Sequence, residues 1–222
     1  LHWPDSMFTF MPDRNILFSQ DAFGMHMAGN HLFAHDCDPG VLRRESAMYY
    51  ANILNPYSKL VANLISKVEE MGIRPHIIAP DHGPLWVAGT SAEPGWVVGL
   101  WKGWAEGAGR RSLVVLYDTM WGATGAMARA VAEGAAESGV PVRVLRAGLT
   151  HRSVAATEVL EAGALAFGSP TLNNGIFPAL ADHLEYLKGL RFHGRAWGVF
   201  GSHGWSGEAV PRLEKALEEW KG

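Results

Sequence analysis

Three residues in the first half of the chain have the types and positions that metal binding requires. His2, Asp21 and His82 each lie at or next to the end of a predicted strand, in a loop where a scaffold can aim the side chain. Imidazole and carboxylate ligands together suit iron, manganese or zinc, and the carboxylate of Asp21 could bridge two metal ions. Any one of them alone is more often an ordinary loop residue, so only the set predicts a metal site. Other histidines are close in sequence and compete as ligands: His26, His31 and His35.

The second half of the chain has a loop rich in glycine, serine or threonine after each of three predicted strands. These loops are residues 118–124, 168–175 and 201–207. The first leads into a predicted helix, so its backbone N–H groups and the helix dipole favour an anion, and Thr119 and Thr124 can add hydroxyl donors. The other two offer backbone amides, asparagine side chains and an aromatic plane, which suit a flat heteroaromatic ring. Together the loops predict a phosphorylated ligand.

Alternation of strands and helices in the second half predicts the scaffold that positions these loops. The predicted strands are residues 112–117, 140–147, 164–170 and 195–202, and the predicted helices are residues 126–138, 153–162, 177–187 and 207–220. This order is typical of a doubly wound parallel sheet with helices on both faces, whose ligand lies beyond the carboxyl ends of the strands.

The pattern of apolar residues is less regular in the first half of the chain. Short strands are predicted at residues 16–18 and 76–79, and a helix at residues 41–54 that Pro56 interrupts. Apolar residues recur at helical spacing over residues 60–68 and again over residues 96–104. The two halves predict two domains, residues 1–108 and 109–222.

Composition excludes several classes of function. The chain has 222 residues and a formal net charge of -3, which argues against the electrostatic attraction to nucleic acid that a basic protein has. No apolar run approaches the roughly 18 residues that span a bilayer. Cys37 is alone, and the first residues do not form a signal peptide, so a reducing, cytoplasmic setting is expected.

Seven segments carry a family resemblance. In the first half they are LHWPDSMF, FSQDAFG, YYANIL and APDHGPLW, and in the second half YDTMWGAT, GSPTLNN and FGSHGWSG. In this order they resemble the flavodiiron proteins (A-type flavoproteins). The resemblance implies an α/β chain in which a partial metallo-β-lactamase-like αββα domain precedes a flavodoxin-like doubly wound parallel sheet. Since that sheet has five strands in the order 2-1-3-4-5 and only four are visible, a fragment of a longer chain is expected.

The resemblance implies an FMN site in the second half. Residues 119–124 would hold the phosphate, and residues 169–173 and 202–205 would flank the isoalloxazine ring. Named individually, these residues are Thr119, Met120, Trp121, Gly122, Ala123, Thr124, Ser169, Pro170, Thr171, Leu172, Asn173, Ser202, His203, Gly204 and Trp205. Two of them depart from the family pattern. Ala123 stands where a hydroxyl residue is usual, and His203 stands where a tyrosine is usual.

The resemblance also implies two non-haem iron ions. His2 and His82 would each bind one iron, and Asp21 would bridge them. Either Tyr49 or Tyr50 would supply a hydroxyl near an iron ligand, with helix packing as the alternative role. The family's H-x-E-x-D-H stretch is absent from residues 1–222. We expect it before residue 1, with ligands from another chain or an inactive site as alternatives.

The implied activity is reduction of dioxygen to water, of nitric oxide to nitrous oxide, or of both. Electrons would come from rubredoxin or a similar small protein through FMN. A head-to-tail homodimer, or a dimer of dimers, would bring the flavin of one subunit close to the iron site of the other. Three alternatives remain open: an FMN-binding electron carrier with an inactive metal site, a zinc hydrolase, and an FMN-dependent quinone reductase. Metal content distinguishes them.

Overall fold

The computed structural model describes residues 4–107 and 110–221. The chain divides into two compact units, Leu1–Glu106 and Gly107–Gly222. In the part that the structure describes, no helix is long and apolar enough to cross a membrane.

A four-stranded sheet forms the centre of the first unit. Its strands are β1 (Thr9–Met11), β2 (Ile16–Gln20), β3 (Ile77–Pro80) and β4 (Trp86–Val87), in the order β1-β2-β3-β4. The two central strands run parallel, and each edge strand is antiparallel to its neighbour. Because β2 and β3 are parallel, their carboxyl ends lie at the same edge of the sheet.

Three helices accompany this sheet: α1 (Pro39–Tyr49), α2 (Ser58–Glu70) and α3 (Pro94–Ala105). The predicted helix at residues 41–54 is wrong in its second part, because α1 ends at Tyr49 and a single wider π-helical turn covers Tyr50–Leu54. Pro56 follows closely and has no N–H to continue an α-helical ladder. One face of α3 is buried as predicted, with Trp101 fully enclosed and its indole N–H donating to Ser46 Oγ at 3.1 Å.

Four parallel strands form the main sheet of the second unit. They are β5 (Arg110–Tyr117), β6 (Val142–Arg146), β7 (Ala162–Leu172) and β9 (Ala196–Ser202), in the spatial order β6-β5-β7-β9. Counted along the chain this order is 2-1-3-4, the order expected for a flavodoxin-like sheet. β6 is added on one side of β5, whereas β7 and β9 are added on the other. The strand order therefore reverses between β5 and β7, and a ligand site is expected where the loops after these two strands diverge.

Four helices connect the strands: α4 (Ala123–Glu137), α5 (Arg152–Glu161), α6 (Pro178–Gly189) and α7 (Ala209–Glu218). Val115 of β5, Ala128 of α4 and Ala166 of β7 form a buried cluster between sheet and helix. Small residues on α4 and β7 let the helix approach the sheet closely.

The predicted second loop is partly strand. β7 continues to Leu172 and turns back through Asn173 and Asn174 into a two-residue strand, β8 (Gly175–Ile176). Both asparagines have positive φ, 49° and 55°, which is the conformation that a tight hairpin turn requires. The loop predicted at residues 168–175 is therefore wrong over most of its length, because its Gly, Ser and Thr residues lie in strand and not in loop.

Candidate functional site

Asp21 and His82 lie side by side at the edge of the first sheet. Asp21 directly follows β2, and His82 comes two residues after β3. These two strands are parallel and pair Gln20 with Pro80. His82 Nε2 is 3.2 Å from Asp21 Oδ1. The parallel pairing therefore brings together two residues that are far apart in sequence, and it presents an imidazole nitrogen and a carboxylate oxygen at one place.

The turn that carries Asp21 has a constrained backbone. Gln20 and Phe23, on either side of it, have positive φ values of 51° and 65°, which side chains other than glycine rarely adopt. Two contacts hold this conformation: Ser19 Oγ donates to Ala22 O at 2.7 Å, and the buried Trp86 indole donates to Phe23 O at 3.0 Å. Backbone strain of this kind persists only where the surroundings enforce it, and it is concentrated at functional sites.

Gly24 sets the distance between the two loops. A Cβ atom at this position would lie 2.6 Å from the carbonyl oxygen of His82 and 3.2 Å from that of Asp21. Next to it, Met25 N–H donates to His82 O at 3.2 Å. Gly24 could not be singled out from the sequence, because nothing there distinguishes a glycine that permits close approach from one in an ordinary turn.

The structure distinguishes the two candidate tyrosines. The buried Tyr49 hydroxyl hydrogen-bonds to the Asp21 carboxylate, and burial together with that negative charge raises the pKa of Tyr49. Tyr50 lies elsewhere: its hydroxyl is 2.9 Å from Ser58 Oγ, and its ring packs edge-on against Trp101. Burial raises the pKa of Tyr50 to about 12. Only Tyr49 is therefore placed to act on Asp21, and Tyr50 packs within the first unit.

The other candidate ligands fall in different places. His2 lies outside the described residues. His26 is exposed, and its ring lies 5.6 Å from that of His82 and 4.8 Å from that of Tyr49. His35 instead stacks on Phe33. Over residues 4–107 and 110–221, no three His, Cys, Asp or Glu side chains converge on one metal position. Asp21 and His82 are the two predicted ligands that the structure brings within 3.2 Å of each other.

The first loop of the second unit, predicted to bind an anion, leads into a helix whose N-terminus has no side-chain cap. Gly122 caps α4 with a φ of 90°. Gly122 N–H donates to Thr119 Oγ1 at 3.0 Å, which fixes the loop between them. Ala123 is the first residue of α4, where the predicted family hydroxyl is replaced by a methyl group. The uncapped first turn leaves backbone N–H groups and the positive end of the helix dipole for a ligand.

The three predicted loops are connected to one another. Thr124 is fully buried, and its hydroxyl oxygen lies 2.7 Å from Ser202 Oγ, which links the start of α4 to the end of β9. Thr171 Oγ1 accepts the N–H of Ala209 at 3.2 Å, which links the β7–β8 hairpin to the start of α7. Ser169 is also fully buried, and its hydroxyl accepts from Phe177 N–H at 2.9 Å. The hydroxyls of these four residues therefore fix the predicted loops and the segments that follow them.

Two indole rings at the same edge of the sheet are almost fully exposed. Trp121 in the first loop is 95% exposed and Trp205 in the third is 99% exposed, whereas Met120 is 39% exposed. A bare aromatic plane is energetically unfavourable in water and suits stacking against a flat ring. His203 is exposed as well, and its ring lies over Gly207, where a Cβ would be 3.1 Å from His203 Cδ2. The hairpin asparagine Asn173 is exposed in the second loop, while Pro170 is buried and Leu172 is half-buried.

The residues described above can be compared with FMN and the iron ions, the two cofactors that the sequence resemblance implies. The uncapped N-terminus of α4 and the two exposed tryptophans fit a ligand with an anionic end and an aromatic ring. Asp21 and His82 provide the nitrogen and oxygen donors that iron accepts, as part of a set that needs further ligands.

Comparisons with known proteins agree with one another. The family model described as Flavodoxin matches residues 115–222. A nitric oxide reductase of Moorella thermoacetica is 38% identical over 100% of this chain and 54% of that relative. A rubredoxin-oxygen oxidoreductase of Megalodesulfovibrio gigas is 38% identical over 99% of this chain and 53% of that relative. The crystal structure of the flavodiiron protein from Giardia intestinalis superposes with a TM-score of 0.94 at 33% identity, covering 100% of this chain and 54% of that one. The chain thus spans about half the length of the curated relatives it matches.

Proposed function

This chain belongs to the flavodiiron protein family, and on that premise we propose that it is part of an oxidoreductase that reduces dioxygen to water, nitric oxide to nitrous oxide, or both. The observation that carries the proposal is the pairing of Asp21 with His82 at 3.2 Å in a chain that also has a flavodoxin domain. Neither feature alone indicates this chemistry, because flavodoxins carry electrons only and a His–carboxylate pair suits several metals. The names of the relatives, nitric oxide reductase and rubredoxin-oxygen oxidoreductase, support the same kind of reaction.

In this proposal the first unit supplies part of a diiron site. Asp21, His82 and His2 would be among the residues that hold iron, with the Asp21 carboxylate as the candidate shared ligand. Iron held there would supply the binding and activation of the small substrate. The Tyr49 hydroxyl donates to the Asp21 carboxylate and so orients it.

The second unit holds FMN in the proposal. Residues 119–124 bind its phosphate, and Trp121 and Trp205 cover its ring. FMN supplies electrons to the metal site. The chain's own contribution is to bind and orient the flavin: the first turn of α4 presents N–H groups to the phosphate, and the Thr124–Ser202 contact keeps the first and third loops together.

Electrons enter from a small redox protein such as rubredoxin, as the name of one relative suggests. A head-to-tail homodimer, or a dimer of such dimers, brings the flavin of one subunit near the iron site of its partner. The proposed setting is the cytoplasm.

A second candidate function is an FMN-binding electron carrier whose metal site is inactive. The specific observation in its favour is that residues 4–107 and 110–221 contain no cluster of three or more metal-binding side chains. Metal content and substrate consumption distinguish this candidate from the reductase.

Substitution of His82 tests the proposed function. We expect His82→Ala to reduce dioxygen and nitric oxide consumption by about a hundredfold or more, because removing a metal ligand removes the group that activates the substrate. The assay uses the natural protein that carries this chain, with reduced rubredoxin as donor, and flavin content is measured on the same samples. His76→Ala is the matched control, since His76 is an exposed histidine of the same unit. Unchanged consumption in His82→Ala would contradict the reductase.

A further inference from the structure

Asp118, at the start of the first loop of the second unit, forms an ion pair with Arg146. The side chain of Asp118, at the end of β5, is only 2% exposed and accepts three hydrogen bonds. Its Oδ1 accepts from Thr119 N–H at 2.7 Å and from Arg146 Nε at 3.1 Å, and its Oδ2 accepts from Gly148 N–H at 2.8 Å. Both oxygens are thus used within the protein, and none of the proposed cofactor contacts involves them.

These bonds tie the loop to the neighbouring strand. Arg146 ends β6, and Gly148 follows it in a short turn, so Asp118 joins the end of β5 to the end of β6. Arg146 Nη2 also lies 3.4 Å from the carbonyl oxygen of Thr119. Thr119 in turn accepts the N–H of Gly122 at the start of α4. A chain of contacts therefore runs from Arg146 through Asp118 and Thr119 to the cap of the helix.

The charges of Asp118 and Arg146 affect how an anion would bind to the neighbouring loop. A buried carboxylate next to an anion-binding loop repels the anion, and the repulsion is strong where water is scarce. Arg146 neutralises Asp118 and uses two guanidinium nitrogens to fix the loop, which a lysine could not do with the same geometry. The Arg146 side chain is 44% exposed, so its hydrogen bonds and not burial fix its position.

We propose that Arg146 is a positioning residue that acts through Asp118 to hold residues 118–124 in the conformation that selects a phosphorylated flavin over an unphosphorylated one. The proposal rests on the proposed function, which assigns this loop to the FMN phosphate. It goes beyond that assignment, because it attributes the preference for the phosphate to a residue outside the loop. Riboflavin lacks only the phosphate, so the ratio of FMN affinity to riboflavin affinity reports on the loop.

The experiment compares two arginines of the same strand. Arg146→Met and Arg143→Met both remove one positive charge from β6, and Arg143 forms an ion pair with Glu158 at the surface, at 3.5 Å. The dissociation constants of FMN and riboflavin are measured by flavin fluorescence quenching on flavin-free preparations of the natural protein. We expect Arg146→Met to weaken FMN binding by about tenfold or more, because charge-assisted hydrogen bonds are lost. Riboflavin binding should change by less than about threefold, and Arg143→Met should resemble the wild type.

A second variant tests the same contact without changing any charge. At Gly148, a Cβ would lie 2.9 Å from Asp118 Oδ2, so Gly148→Ala displaces the carboxylate. It should also lower the ratio of FMN to riboflavin affinity. Gly134→Ala in α4 is its control, since an added Cβ there meets nothing within 4 Å. Gly148→Ala tests the positioning role even if Arg146→Met does not fold.

The possible results distinguish the positioning role of Arg146 from the assignment of FMN as the cofactor. A selective loss of FMN affinity in Arg146→Met or Gly148→Ala supports the positioning role. Equal weakening of both flavins, or no weakening of either, overturns it while leaving FMN as the cofactor. A wild type that binds neither flavin, or that does not prefer FMN, overturns the FMN assignment itself and this inference with it.

Discussion

Replacing Gly24 with alanine should make the protein lose most of its iron while it keeps its flavin. The added Cβ would lie 2.6 Å from the carbonyl oxygen of His82, so the two loops must move apart. Asp21 Oδ1 and His82 Nε2 lie 3.2 Å apart across those loops, and the proposed metal site depends on both atoms staying close. Overpacking of this kind costs about 1–3 kcal/mol, and each 1.4 kcal/mol is a tenfold change in affinity. We therefore expect metal retention to weaken by about tenfold or more.

The measurement is iron per chain after dialysis against a chelator, with FMN per chain determined on the same sample. Gly29→Ala is the matched control, because Gly29 follows in the same connecting segment and an added Cβ meets nothing within 4 Å. It should retain iron as the wild type does. If Gly24→Ala kept its full iron content, the close approach of the two loops would have no part in metal binding.

Replacing Gly201 with alanine should damage the second unit at its cofactor edge. Here the added Cβ would lie 2.5 Å from the carbonyl oxygen of Ser169 and 2.9 Å from Val210 Cγ2. Gly201 and Ser169 face each other in the parallel register of β9 and β7, so the two strands must separate where their loops begin. We expect the free energy of unfolding of this unit to fall by about 2 kcal/mol. FMN affinity should fall by about tenfold or more, since Ser202 would no longer reach Thr124.

Denaturant unfolding and FMN titration measure these two effects. Gly198→Ala lies on the same strand three residues earlier, where an added Cβ meets nothing within 4 Å. It should have the midpoint and the FMN affinity of the wild type. Equal behaviour of Gly201→Ala and Gly198→Ala would show that the contact between β7 and β9 at Gly201 does not support the flavin site.

The sequence predicted the features that follow from apolar patterning. The alternation in the second half predicted four parallel strands and four helices, and the structure confirms that flavodoxin-like fold. The nearness of Asp21 and His82 could be foreseen as well, because each comes after a short apolar run. Parallel neighbouring strands place such residues at one edge of a sheet.

The side-chain partners that residues choose in the folded chain could not be predicted in this way. Asp118 and Arg146 are paired across two strands, and their types alone indicate only a loop carboxylate and a surface arginine. Tyr49 and Tyr50 are adjacent and chemically identical, and only the path of the helix decides which one contacts Asp21. Ser169 has a residue type common in loops, yet it is fully buried at the end of a strand.

Iron and flavin content test the central claim most directly. The measurement is iron and FMN per chain in anaerobically purified protein, made in parallel on the natural protein that carries this chain and on residues 1–222 alone. We predict two irons and one FMN per chain in the natural protein, with FMN but little iron in residues 1–222, because the proposed site needs ligands besides Asp21 and His82. FMN without iron in both preparations would contradict the reductase and leave an electron carrier.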